Sequence, residues 1–159
     1  MSPFSIELLL KHGFEYDSSM MGHDYTPYQA RQGDEVELLE AMKFGQDTPL
    51  VEMPVSWSLD DYPHFEFMRT DAGILPGLMN ARSVFQNFLD EFEYMRTETD
   101  WGILTYTFHP HVVGRGQRML ALDSMIDALT RAGARFVTME TALEAYRARF
   151  PNGVSLRGK

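Results

Sequence analysis

The stretch from Thr105 to Met119, TYTFHPHVVGRGQRM, constrains the fold of this chain more than any other. An apolar run from Ile103 to Phe108 stops at His109-Pro110-His111. A short connector with Gly114 and Gly116 follows, and then a helical pattern begins. A strand that delivers a histidine at its C-terminal end, just before a glycine-containing turn into a helix, is the placement that α/β barrels give to catalytic groups.

The flanking sequence predicts further alternation. Ser2 and Pro3 open a helix as N-cap and first helical residue; Phe4, Leu8, Leu9 and Leu10 form its stripe, and Gly13 stops it. A short strand is expected over Phe14–Asp17, an ordered aromatic loop over Ser18–Gln32, and a strand over Leu50–Val55 with Pro54 near its end. Ser56 to Pro76 reads as a long, ordered, irregular segment. A long helix follows from Leu78 to Arg96, with Val84, Phe85, Phe88, Leu89 and Phe92 at helical spacing. Trp101–Phe108 is expected to be a buried strand, and Arg115–Ala132 a helix with the stripe Leu120, Met125, Ile126 and Leu129 and a stop at Gly133. Phe136-Val137 is expected to be a short strand, with a helix capped by Thr138 over Met139–Phe150 and a frayed SLRGK tail. Strand, helix, strand, helix implies parallel strands with right-handed crossovers in one α/β domain over 1–153, with 154–159 as tail.

Composition narrows the function. A net charge of -9 with only 14 dispersed basic residues argues against a nucleic-acid phosphate backbone as partner. The absence of cysteine excludes disulfides, zinc–thiolate sites and thiol nucleophiles. The N-terminus lacks a basic n-region, and no segment approaches the roughly 20 apolar residues of a membrane span. A cytoplasmic protein without membrane partners is the expectation. No GxSxG elbow supports a serine nucleophile.

Three constellations carry candidate chemistry. His109 and His111, two apart on a strand, could share a metal with Asp60, Asp61 or His64 as third ligand. Otherwise His109 is a proton-transfer group, since an ordinary histidine titrates near neutrality, or a hydrogen-bonded structural residue beside an exposed turn histidine. The acids of Trp57-Ser58-Leu59-Asp60-Asp61-Tyr62-Pro63 could tune that histidine, or simply cap a turn. Arg115 and Arg118 at a helix start could hold an anion or carbonyl oxygen, stay solvated, or pair with Asp60 or Asp61. His23 and Tyr25 in the aromatic loop could touch substrate or only pack the loop.

Four segments occur in a telling order: LLLKHGFEYDSSMMGHDYTPY, PVSWSLDDYPHF, LTYTFHPHVVGRGQRM and LTRAGARFVTMETALEAYR. Together they resemble the C-terminal half of polysaccharide deacetylases of the NodB-homology type, carbohydrate esterase 4-like. The nearest likeness is to the intracellular branch with allantoinase-like and peptidoglycan deacetylase-like proteins. The resemblance implies a partial (β/α) barrel and metal-assisted hydrolysis of a non-peptide C–N bond, typically an N-acetyl group on a sugar or a related amide. It matches His109 to a general acid, Asp60 or Asp61 to the acid that orients it, and Trp57 to the pocket wall. The candidate substrate contacts Arg115, Arg118, Tyr25 and His23 come from the residues themselves and not from the resemblance.

The family's metal and base come from a TFDDG-like Asp pair and an HxxxH-like histidine pair, and neither occurs here. No metal ligand is therefore assigned in this chain, and a zinc-like divalent metal is expected only of the complete family domain. The isolated chain is expected to be inactive toward the glycan or small amide of the family, as a truncated reading frame, a fragment, or one of two chains completed by a complementing N-terminal half. The alternatives are a non-catalytic glycan-binding or assembly module that homodimerises through the open barrel side, or a new metal site built from His109, His111 and a loop acid.

Overall fold

The computed structural model describes residues 2, 4–75 and 77–156. Along the chain run α1 (Ser5–Lys11), β1 (Tyr16–Asp17), β2 (Tyr28–Gln32), β3 (Gln46–Glu52), a 3-10 turn (Trp57–Leu59), α2 (Asp61–Phe65), β4 (Met68–Thr70), β5 (Gly73–Leu75), α3 (Ala81–Glu98), α4 (Pro110–Val113), α5 (Gly116–Arg131) and α6 (Met139–Arg149). They fall into two compact units, Met1–Val55 with Val137–Lys159, and Ser56–Phe136. The expectations for Pro3, Pro76 and the last residues of the SLRGK tail lie outside the described residues.

The first unit is built on a three-stranded sheet of order β1-β3-β2. β1 runs parallel to β3, with Tyr16 opposite Val51 and Asp17 opposite Glu52, while β2 runs antiparallel to β3. β2 forms within the stretch expected to be a loop: YQARQ holds no β-branched residue, and its alternation, with Tyr28 and Ala30 buried, is too short to stand out. β3 begins four residues earlier than expected and contains Pro49. Proline donates no ladder bond. The pairing shifts register between Gln29 and Arg31, which face Val51 and Asp47, so the proline falls in an irregular stretch. The Thr48 hydroxyl donates to the Ala30 carbonyl there at 2.8 Å. Leu50, Val51, Met53 and Ala30 are buried, as are Ala142, Leu143 and Tyr146 on one face of α6. The Thr138 side chain caps α6 by accepting from Thr141 N.

In the second unit α3 packs on α5. Asn80 caps α3 by accepting from Ser83 N, and Val84, Phe85, Phe88, Phe92 and Met95 recur at helical spacing and are buried. Phe85 sets its ring 5.9 Å from Phe65 and 5.6 Å from Phe88, and 5.9 Å from Phe108. The segment expected to be irregular after Ser56 is instead largely ordered into the 3-10 turn, α2 and the β4–β5 hairpin. Residues 114 and 115 separate α4 from α5, and Gly133, at φ +90°, stops α5 in the left-handed region that favours glycine.

Three expectations need correction. Trp101–Phe108 is half-buried rather than a buried strand: among the described residues only Thr107 makes a ladder pair, a parallel bridge to Asp60. Phe136-Val137 forms no strand, since no ladder pairs it. Not all strands run parallel; the parallel contacts are β1 with β3 and the Asp60–Thr107 bridge, whereas β2–β3 and β4–β5 are antiparallel. Among the described residues the result is mixed α/β with two small sheets. No helix among the described residues is long and apolar enough to cross a membrane.

Candidate active site

Two short helices in the second unit each begin with a group of the candidate site. Asp60 is the N-cap of α2; its side chain accepts from Tyr62 N at 2.8 Å, satisfying one of the orphan donors of a helix start. That turn makes Asp61 the first helical residue. His109 is the N-cap of α4, and Pro110 follows at the position where a missing N–H costs nothing. The Thr107 bridge brings the two starts together: Asp61 N donates to the Thr107 carbonyl at 3.0 Å, and Thr107 N donates to the Leu59 carbonyl at 2.9 Å.

At this junction the Asp61 carboxylate, with 0% exposure, faces His109. Both of its oxygens accept from the His109 backbone N at 3.1 Å, and His109 Nδ1 lies 2.7 Å from Oδ1. A buried carboxylate holding three such contacts fixes the imidazole with its proton on Nδ1. The ring is 37% exposed, and its second nitrogen, Nε2, is the one not engaged by the acid. Asp60 Oδ1 stands 3.7 Å from the same Nδ1. The hydrogen bond to Asp61 raises the His109 pKa above the ordinary histidine value; burial opposes this, and the charges of Asp60 and Asp61 add to it. Tyr62 presents its ring edgewise to His109 at 5.5 Å and to His111 at 6.4 Å.

The structure therefore brings His109, Asp60 and Asp61 together and divides the labour between the acids: Asp61 holds the imidazole while Asp60 caps α2. Trp57 stands exposed on the 3-10 turn and Arg115 is exposed at the N-cap of α5. Arg118 is turned inward instead of toward solvent. It is 4% exposed, donates to the Val112 and Phe65 carbonyls, and pairs with Glu66 rather than Asp60 or Asp61. His23 and Tyr25 belong to the first unit, where His23 Nδ1 accepts from the Tyr25 and Thr26 backbones. His64 is spent on the Ser58 carbonyl at 3.0 Å. Tyr62 escaped the sequence reading although it directly follows the two acids.

One ligand-type atom each from Asp60, Asp61 and His109 lies within 4.8 Å of the others, so the set has the composition of a divalent-metal site. The hydrogen bonding argues otherwise. The nitrogen facing both acids is Nδ1, 2.7 Å from Asp61 Oδ1, and with Asp61 ionised this contact needs a proton on Nδ1 that a metal there would have to displace. The arrangement fits a hydrogen-bonded Asp61–His109 dyad, with which an ion bound through Nδ1 would compete.

No family model matches the chain. It is 35% identical over 156 residues to the peptidoglycan deacetylase of Helicobacter pylori, covering 91% of this chain and 53% of that protein. It is 22% identical over 163 residues to a peptidoglycan deacetylase-like protein of Gibberella zeae, covering 89% of this chain and 47% of that one. A crystal structure assigned to the polysaccharide deacetylases, from Mycobacterium smegmatis, superposes with a TM-score of 0.72 at 28% identity, covering all of this chain and 50% of the other. The chain thus spans about half the length of these relatives, and is similar to a C-terminal portion of a polysaccharide deacetylase.

Proposed function

We propose that this polysaccharide deacetylase-like chain carries the proton-donating part of a hydrolase acting on the C–N bond of N-acetylated sugars, within a partial NodB-type barrel. The observation that carries this is the buried Asp61 holding His109 Nδ1 at 2.7 Å, which leaves Nε2 to work. Asp61 favours the imidazolium, and with it a second proton on Nε2. As water adds to the acetyl carbon and the C–N bond breaks, the departing amine takes the Nε2 proton and acetate is released. His109 is left neutral with its Nδ1 proton still directed at Asp61. Trp57 and Arg115 are exposed and available to a glycan. Activation of the water falls to groups outside this chain, in keeping with the divalent metal that deacetylase relatives imply.

Two measurements test this. The purified chain, supplied with divalent metals and an N-acetylated glycan, is expected to release no acetate; metal-dependent turnover by the chain alone would overturn the division of labour. In a chimera, this chain replaces the matching portion of the Helicobacter pylori relative. That protein is expected to be active and to lose about 10²–10⁴-fold on His109→Ala, the usual worth of general acid catalysis. An unaffected His109→Ala chimera would remove His109 from the reaction.

A non-catalytic binding or assembly role is the alternative, favoured by Leu38 and Leu39, each 95% exposed in the connection from β2 to β3. In it the exposed apolar side chains, rather than the dyad, make the functional contacts.

A further inference from the structure

Arg118 is a buried cation with its partners on two different elements, and nothing in the dyad chemistry calls for it. It stands in the first turn of α5. Its Nη1 donates to the Val112 carbonyl at 2.6 Å and lies 3.5 Å from Glu66 Oε1; Nη2 donates to the Phe65 carbonyl at 3.3 Å. The guanidinium lies 4.5 Å from the centre of the Phe65 ring, and Nε is buried without a partner. Burying a guanidinium with one donor unsatisfied is costly, so the position calls for a compensating role.

The two carbonyls it binds are informative. Val112 lies on α4, three residues after its N-cap His109; Phe65 is the last residue of α2, four residues after Asp61. Each element is about one helical turn, and a single turn has no stability of its own. The aim of its first residue depends on what holds its far end. One rigid, planar group with fixed donor directions ties both far ends. We propose that Arg118 is a positioning residue that sets the relative orientation of α2 and α4, and with it the Asp61–His109 contact. This rests on the reading of His109 as proton donor.

The test is NMR of the whole chain, following the His109 ring nitrogens against pH in wild type, Asp61→Asn, Arg118→Lys and Arg118→Met, with circular dichroism to confirm folding. Wild type is expected to show a His109 titration above the ordinary histidine value and a downfield Nδ1–H proton resonance. Asp61→Asn is expected to abolish both. Arg118→Met is expected to stay folded, lose the downfield resonance and shift the titration down; Arg118→Lys, which keeps charge but not the fork, is expected to fall between. A purely structural arginine would lower the melting temperature and leave the titration where it was. Folded Arg118 variants with wild-type titration, beside a shifted Asp61→Asn, would overturn the positioning role alone. An unshifted Asp61→Asn would overturn the dyad itself. Failure of both Arg118 variants to fold would assign the residue to the fold and equally overturn the proposal.

Discussion

Glu52 is wholly buried on β3, opposite Asp17 in the parallel pairing with β1 and opposite Tyr28 in the antiparallel pairing with β2. The three side chains therefore form one row across the sheet. Glu52 Oε2 accepts from Ser19 N at 3.4 Å and Met20 N at 3.2 Å, while Oε1 is buried with no donor. Burial, and then the neighbouring Asp17 charge, push its pKa up to about 7 from 4.5. An acid with a raised folded-state pKa binds more protons folded than unfolded between those two values. Its contribution to stability is full below about pH 4.5 and is lost as the pH rises through about 7, by an amount on the order of 3 kcal/mol. His109, also raised, loses stability in the same direction, so wild type alone cannot separate them. Urea denaturation of wild type and Glu52→Gln at pH 5 and pH 8 does separate them. The variant is expected to be markedly less pH-sensitive; an identical slope would show that Glu52 ionises normally. Nothing in the LVEMP segment marks this glutamate as buried, because only the pairing of Asp17, Glu52 and Tyr28 across three strands reveals it. Arg118 was illegible for the same reason: a buried arginine and a solvated one read alike in sequence. His109 and the acids at 60 and 61 were legible because a strand end and a helix start are local signals.

At the scale of elements, the long helices were the most legible part. The Phe85, Phe88 and Phe92 spacing on α3 has one consistent apolar face, and the structure buries it. On α5 large apolar residues occur on more than one face, and the expected stripe of Leu120, Met125, Ile126 and Leu129 takes two residues from the buried face and two from the exposed one. Met125 and Leu129 are core, but they share their face with Ala121 and Arg118, while Leu120 is 67% exposed and Ile126 is exposed as well. The small Ala121 is buried and belongs to the α5 core face. The two faces make opposite predictions. Phe88→Ala, which removes a ring lying 5.6 Å from Phe85 and 5.7 Å from Tyr106, is expected to cost roughly 3–5 kcal/mol. Leu120→Ala is expected to change stability by no more than about 0.5 kcal/mol, as exposed positions do. Chemical denaturation of the two variants checks both numbers, and a large loss at Leu120 would restore the face read from the sequence. Strands were harder. Trp101–Phe108 has the composition of a core strand, yet a strand exists only where a neighbour pairs with it, and here Leu59–Asp61 pairs over a single bridge. Partners distant in sequence are what a local apolar run cannot disclose.

At the scale of the whole molecule, charge and exposed apolar surface act against one another. A net charge of -9 on 159 residues repels like copies and favours a dispersed monomer, increasingly so at low salt. The connection from β2 to β3 carries Val36, Leu38, Leu39, Met42 and Phe44, all exposed, on a loop held at its base by the Glu35–Lys43 bridge and their ion pair at 3.0 Å. So many apolar side chains in so few residues exceed the scattered exposure that ordinary surfaces show, which is the feature an assembly role would use. Salt separates the two effects: it screens the repulsion and leaves the apolar attraction intact. If the loop makes the contacts of an assembly, light scattering of wild type is expected to show a mass that rises with protein concentration, and more steeply at high salt. Leu38→Asp with Leu39→Asp is expected to hold the monomer mass under all these conditions. Because both side chains are 95% exposed, the double variant is expected to unfold at the wild-type temperature within a few degrees. A wild type that remains monomeric at high concentration and high salt would remove the assembly role, leaving the dyad as the functional centre of the chain.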